Sequence, residues 1–223
     1  MQTLPPPAEL AARIVHVHGR ADVRSALAEQ LIELRLSDDP ALSRAVIRRL
    51  PARVARDVAD DVLARRELAR LTPARPASAF RVAAAEPASR LRAWYGEAQR
   101  RSGIPWQVLA AVNFVESDFG RLREASVAGA QGPMQFMPST WAAYGRGDVH
   151  DPHQAILAAA RFLRAAGGPA DEAGSLHRYN PSWAYVDAIR RLAGRIRRNP
   201  AAFRVFYVRR LIVRTPAGYQ RLN

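Results

Sequence analysis

Glu116 is the residue around which a reactive site can be drawn. It stands near the end of residues 105–117, PWQVLAAVNFVES, an apolar run that predicts a helix opened by Pro105. Leu109, Val112 or Asn113, and Glu116 fall on one face of that helix, so the carboxyl shares its side with residues destined for burial. The helix dipole disfavours negative charge in the last turn, and apolar neighbours disfavour it further. Both effects push the carboxyl toward its protonated form near neutral pH, the state a general acid needs. Taken alone, the same residue also fits a surface glutamate at a frayed helix end.

The residues that follow supply what a lone glutamate lacks. Residues 126–132, SVAGAQG, are small and turn-prone, which lets a bulky ligand come close to the backbone. Residues 133–138, PMQFMP, are too apolar for an ordinary surface loop. Met134 and Phe136 also fit a core, in which case Gln135 is a buried amide in need of partners. Ser139 is expected to cap a short helix, TWAAYG, that stops at Gly145.

The elements that must carry these residues are helical. From residue 7 to about 71 the apolar spacing predicts three or four short helices, with Leu10, Ile14 and Val17 on one face and Leu27, Leu31 and Leu34 on another. Asp39-Pro40 is a cap-and-start pair, and Pro51 opens a helix bearing Val54, Val58 and Val62. His16 and His18 diverge on a helix and have no acidic or third imidazole neighbour in sequence, so no metal site is expected there. Residues 72–88, rich in Pro and Ala, read as a linker or an extended strap. Ser89 is expected to cap the next helix, which carries Leu91, Trp94, Tyr95 and Ala98 inward and ends at Gly103. Asp151-Pro152 opens another helix; residues 171–179 form a short one leading to Tyr179-Asn180; and Pro181-Ser182 starts a helix with Trp183, Val186, Ile189 and Leu192 as its stripe. His150, His153 and His177 are scattered and read as solvent or cap groups. A further helix start at Asn199-Pro200 and a short C-terminal β-hairpin around residues 216–218 complete the chain.

Charge narrows the partners. Among 223 residues there are 34 basic side chains, all arginine, against 20 acidic ones. The excess is +3 over residues 1–88, +4 over 89–196 and +7 over 197–223. The middle of the chain is therefore no general polyanion binder, whereas the last segment suits an anionic polymer. Without cysteine there are no disulfides or thiolate metal sites. The first twenty residues lack the uninterrupted apolar core of a signal peptide, and residues 125–145, although uncharged, are broken by Pro and Gly, so neither a leader nor a membrane span is expected.

Four elements occur in a distinctive order: Glu116-Ser117, the S-x-A-G-A-x-G loop from Ser126, the G-P-M-Q-F-M-P-S-T-W run ending at Trp141, and Tyr179-Asn180. Together they make residues 89–196, about half the chain, resemble the bacterial lytic murein transglycosylase domain, related in fold to goose-type lysozyme. The Tyr-Asn pair is followed here by Pro-Ser, where many relatives have Ala-Gly.

The resemblance implies a lysozyme-like helical domain over 89–196; the N-terminal helical region over 1–71, the 72–88 linker and the basic tail over 197–223 fall outside it, and with them the chain is expected to be mainly α. The resemblance also implies Glu116 as the single catalytic acid/base. It implies Ser126 beside substrate or acid, Met134 and Gln135 lining the sugar cleft, Phe136 supporting that segment, and Tyr179 and Asn180 closing the other side. The expected substrate is the β-1,4 bond between N-acetylmuramic acid and N-acetylglucosamine in peptidoglycan glycan strands. Cleavage without water would close a 1,6-anhydro ring. No cofactor and no metal are expected. The setting is the cell envelope, the chain a monomer, and the basic tail a contact for anionic wall polymers. Ordinary glycosidases use two carboxylates. Asp118 should point away from Glu116, and Glu124, Asp148 and Asp151 remain open as second groups. A lysozyme-type hydrolase is therefore one alternative, and a non-catalytic basic wall- or nucleic-acid-binding protein is another.

Overall fold

The computed structural model describes residues 5–222; residues 1–4 and 223, the outermost parts of the expected N-terminal region and tail, lie outside the described residues. The architecture is mainly α, with a single two-stranded hairpin among the described residues. In order come α1 (Pro7–Val17), α2 (Val23–Asp38), α3 (Pro40–Ile47), α4 (Ala52–Leu71), α5 (Ala88–Ser102), α6 (Trp106–Ser117), α7 (Pro138–Tyr144), α8 (Pro152–Ala165), α9 (Glu172–Tyr179), α10 (Trp183–Arg198) and α11 (Ala202–Val208). The antiparallel strands β1 (Ile212–Thr215) and β2 (Gly218–Arg221) close the chain, with Val213 opposite Gln220.

Side-chain caps fix several helix starts. The Asp39 carboxylate accepts from the Ala41 and Leu42 amides at the start of α3, and Asp151 accepts from Gln154 N–H at the start of α8. The caps expected from Ser89 and Ser139 do not form. α5 begins one residue before Ser89, behind Pro87, and α7 begins at Pro138, behind Met137. For α7, a proline preset at the helical φ takes the first position and leaves the serine inside the first turn.

Two apolar clusters fill the interior. Leu10, Ile14, Leu36, Val46, Val58 and Val62 make the N-terminal one. The larger spans α5, α6, α8 and α10 and includes Leu109, Met134, Ile156, Tyr185 and Ile189. α10 packs against both α4 and α6 and so joins the two. Its buried stripe is Tyr185, Val186, Ile189 and Leu192, whereas Trp183, expected inward, is 61% exposed and stacks on His177 with ring centroids 4.4 Å apart. At the first turn of α10 the indole therefore lies at the surface against α9 rather than in the core. Residues 72–88 run as a pinned strap: Ala83 N–H donates to Arg121 O at 2.9 Å, Arg123 N–H to Arg81 O at 3.0 Å, and Arg75 N–H to Arg214 O at 3.3 Å.

Much of the formal charge is used internally. At the far end of α10, Arg195 is bonded to Glu29 at 3.2 Å and to Asp61, and Arg209 reaches Glu33 at 2.8 Å and Asp61 at 2.9 Å. Arg198 bridges Asp57 and Asp60, both at 2.7 Å. Arg197 pairs with Glu172, and Arg214 donates to the carbonyls of Ala69 and Thr72. Four of the seven arginines in the expected polymer-binding tail are thus engaged within the fold, and two of them, Arg198 and Arg209, answer buried carboxylates of α2 and α4.

His18, at the C-cap of α1, enters the same network through Glu29 at 2.7 Å and Asp57 at 3.4 Å. Burial works against its charge, but hydrogen bonds to Asp57 and Glu29 outweigh that and raise it to about 9. Its contribution to stability is complete below its unfolded pKa of 6.5 and is lost as pH rises through about 9. Replacing His18 by Leu should cost about 3 kcal/mol near pH 6, because it strands buried carboxylates. In urea unfolding followed from pH 6 to 10, the gap between the two proteins should shrink. A gap that stays constant with pH contradicts the charged form.

Candidate active site

Glu116 sits in the last turn of α6, half-buried: open enough to meet a ligand, enclosed enough to lose much of its solvation. Beyond Ser117 the backbone turns sharply, with Asp118 at φ 50° and Phe119 at φ 62°, two successive left-handed residues that carry strain at the edge of the site.

A buried polar seam attaches the next loop to this helix. Tyr95 Oη–H donates to Asn113 Oδ1 at 2.5 Å, and Asn113 Nδ2 donates to Pro133 O at 2.8 Å. Ser117 Oγ donates to the same carbonyl at 2.6 Å and accepts from Gly120 N–H at 2.8 Å. Asn113 and Ser117 are one turn apart and flank Glu116 in sequence, so the bonds that hold the loop also hold the turn bearing the acid.

The loop itself is a tight hairpin. Gln131 and Phe136 exchange both backbone hydrogen bonds, at 2.9 and 2.8 Å, around residues 132–135. Gly132 has φ 73°, and a Cβ there would strike the Val149 carbonyl, so the turn requires glycine. Gln135 is left-handed at φ 47°, and its side-chain amide Nε2 donates to Gly132 O at 2.9 Å.

Tyr185 touches the acid directly. Its hydroxyl donates to Glu116 Oε1 at 2.6 Å across a separation of 69 residues in sequence. Burial pushes the Glu116 carboxyl up to about 7, and the Tyr185 hydrogen bond, which favours the charged form, only partly offsets it. Burial, and then the nearby Glu116 charge, hold the Tyr185 phenol well above its ordinary range, so it remains a donor.

The residues singled out from sequence are distributed around this centre. Tyr179 Oη–H donates to Met134 O at 2.6 Å, and its ring meets Phe136 edge-on at 5.9 Å, so α9 and the 131–136 hairpin are braced together. Met134 and Phe136 are in the core at 0% and 2% exposure. Met134 therefore departs from the expected cleft lining: its side chain offers no surface to a ligand and only its backbone is engaged. Gln135 is spent on its own turn. Ser126 Oγ accepts from Ala130 N–H at 3.0 Å and makes no hydrogen bond to Glu116 among the described residues. Asn180 is the C-cap of α9, and its side chain makes no hydrogen bond among the described residues.

The four other carboxylates have local partners. Asp118 faces Arg121 at 3.4 Å, Glu124 accepts from Arg81 N–H, Asp148 from His150 N–H and Asp151 from Gln154 N–H. None is hydrogen-bonded to Glu116.

Sequence reasoning missed Tyr185 and Asn113. Periodicity carried a signal for both: Tyr185 lies one turn before the buried Ile189, and Asn113 is a polar residue inside an apolar run. It could not name the partners, which come from other helices. Burial also raises Asp118, to about 6, and Glu33, but of the three only Glu116 has a phenol bonded to its carboxyl. Residues 94–200 match the model of the transglycosylase SLT domain. Over 73 residues the chain is 38% identical to the membrane-bound lytic murein transglycosylase F of Thiobacillus denitrificans, covering 33% of this chain and 15% of that protein. Over 158 residues it is 29% identical to the membrane-bound lytic murein transglycosylase F 1 of Alkalilimnicola ehrlichii, covering 64% of this chain and 32% of that one. The chain thus spans a third or less of the length of these curated relatives. No solved structure is significantly similar to it.

An acid raised from 4.5 to about 7 in the folded state destabilises the fold once it must ionise. Stability is therefore lost as pH rises from 4.5 through about 7, where the folded protein binds the extra proton. Glu116→Gln removes that loss. Melting curves of the two proteins should coincide below pH 4.5, diverge between pH 4.5 and about 7, and above that leave the variant more stable by up to about 3 kcal/mol. A variant that becomes relatively less stable as pH rises contradicts the elevated acid.

Proposed function

We propose that this protein is a lytic transglycosylase that cleaves the β-1,4 bond between N-acetylmuramic acid and N-acetylglucosamine in peptidoglycan, with Glu116 as the one acid and base. The observation that carries the reading is the Glu116 carboxyl itself: raised to about 7, bonded at Oε1 by the Tyr185 hydroxyl, and without a second carboxylate bonded to it. The SLT match and the names of the curated relatives support the substrate class.

The hydrogen bond from Tyr185 decides which oxygen reacts. Oε1 is occupied as an acceptor, so the acidic proton resides on Oε2. Glu116 Oε2 gives that proton to the glycosidic oxygen as the C1–O bond breaks. The carboxylate, still held by Tyr185, then takes the proton from the C6 hydroxyl of the muramic acid residue as its oxygen bonds to C1. One bond breaks, one forms, the proton returns to Glu116, and no water is consumed. The internal hydroxyl replaces a bimolecular nucleophile, which removes the entropic cost of positioning water. A group with a pKa near the working pH serves both directions of transfer.

In this reading Tyr179, Phe136 and Met134 hold the hairpin that forms one wall, Ser126 and Gln135 set its backbone shape, and Asn180 stands on the opposite side as a free amide. The setting is the cell envelope, where the substrate lies. The relatives are named membrane-bound, but among the described residues no helix is long and apolar enough to cross a membrane.

Digestion of purified sacculi in heavy-oxygen water tests the reaction. Wild-type protein should release muropeptides ending in 1,6-anhydro-N-acetylmuramic acid with no label, and Glu116→Gln should lose about 10²–10⁴ in rate or more while keeping its fold. Labelled reducing ends would make it a hydrolase. Sacculi left intact by a folded wild-type protein would favour a binding role.

A further inference from the structure

The turn that follows Glu116 is held from behind by residues that the proposed reaction does not use. Asp118 and Phe119 sit at φ 50° and 62°, a backbone that residues other than glycine keep only where their surroundings over-determine it. Hydrogen bonds from Asp118 N–H to Phe114 O and from Phe119 N–H to Asn113 O close the turn on α6 itself. Its outer side rests on α11. The buried Phe119 ring meets Phe203 edge-on at 5.6 Å and Tyr207 at 5.9 Å. The Asp118 carboxyl, also buried, faces Arg121, with Arg209 and Arg65 as more weakly acting cations.

Arg121 joins these pieces. Its Nη1 lies 3.4 Å from Asp118 Oδ1 and donates to Asp118 O at 3.3 Å. Its Nη2 donates to Tyr207 O at 2.6 Å, and the guanidinium stands 4.8 Å from the centre of the Tyr207 ring. Its own carbonyl accepts from Ala83 N–H, and Tyr207 Oη–H donates to Glu86 O at 3.0 Å. One side chain therefore spans the turn and α11, and the strap is bonded to both. α11 and the strap lie outside residues 94–200, the part that matches the SLT model. Arg121 is not bonded to Glu116, whose carboxyl answers to burial and the Tyr185 hydroxyl. It lines a surface groove with Val82, Tyr207 and Leu211, and Glu116 does not.

We infer that Arg121 is a positioning residue for the proposed reaction: by bridging the 118–119 turn to Tyr207 it fixes where α6 presents Glu116, so that α11 and the strap serve the reactive centre. The inference rests on Glu116 as the acid. Without the bridge, the buried Asp118 carboxyl loses its nearest cation and the left-handed pair loses a restraint, so the turn relaxes toward solvent. Glu116, two residues earlier, moves with it. Burial is the larger of the two influences on its carboxyl, so exposure lowers its pKa even as the Tyr185 bond weakens. A lysine keeps the charge beside Asp118 but has no planar fork to reach the Tyr207 carbonyl at the same time.

Full-length Arg121→Gln and Arg121→Lys test this by two readouts. The first needs no substrate. The Glu116 carboxyl titration, followed in ¹³C-glutamate-labelled protein, should have a lower midpoint in Arg121→Gln than in wild type, with Arg121→Lys between the two. The second is digestion of solubilised glycan strands across pH. In Arg121→Gln kcat should fall about tenfold or more with KM within about twofold, and the limb of the pH profile that reports the acid should move down with the titration. A purely structural loss lowers the folded fraction and moves neither the midpoint nor that limb. Arg121→Lys carries the test should Arg121→Gln fold poorly. A wild-type midpoint in either folded variant overturns the inference, and so does a raised KM with kcat intact, which would put Arg121 in the substrate site. Glycan left intact by wild-type protein would defeat the proposed reaction rather than this inference, which the carboxyl titration decides.

Discussion

A carboxylic acid held away from water at the negative end of a helix is unstable in its charged form, and the domain's polar wiring keeps it in that position. Two features disfavour the Glu116 carboxylate, burial and the α6 dipole; one favours it, the Tyr185 hydroxyl. Because the balance falls near neutrality, the group can hold and return a proton. The seam of Tyr95, Asn113, Ser117 and Pro133 fixes the turn on which this balance depends. Each of its groups is buried and bonded, so a shift of the turn would leave an orphaned donor or acceptor, which costs more than the bond itself contributes.

α10 carries that constraint through the rest of the molecule. Near its start Tyr185 meets the acid; near its end Arg195 and Arg198 meet the carboxylates of α2 and α4. One rigid helix of 16 residues therefore ties the N-terminal helices to the reactive centre. The ionic end is an expensive way to join elements, since burying charges offsets much of their attraction. It is directional, however, and fixes which face of α10 turns toward α4 and hence which residue is presented to Glu116. Glu33 shows the strain of the arrangement: burial raises its carboxyl to about 8 despite Arg209 beside it. The strong positive formal charge thus says less about an anionic partner than composition implies, because several arginines answer to internal acids.

Local signals carried a good part of this to the reader of the sequence. Asp39 and Asp151 capped where their neighbours indicated, Gly103 ended α5 in the left-handed region, and Pro216-Ala217-Gly218 turned the hairpin. Glu116 could be put in the last turn of an apolar helix because position in a helix is itself local. What failed was tertiary. Ser89 and Ser139 lost their caps to helix starts at Ala88 and Pro138. Trp183 was assigned inward by apolar character, yet the helix rotation buries Tyr185 instead. The partners of Glu116, His18 and Asn113 lie on other elements, and no spacing rule on one helix names a donor on another.

The pKa of Glu116 tests the account most directly. Side-chain carboxyl carbon shifts from ¹³C-glutamate-labelled protein, assigned by comparison with Glu116→Gln, give that titration in isolation. The expected midpoint is about 7, moving higher in Tyr185→Phe, where the donor to the charged form is gone. A midpoint at the ordinary 4.5, or one that Tyr185→Phe leaves in place, would contradict the claim that burial and this phenol set the acid.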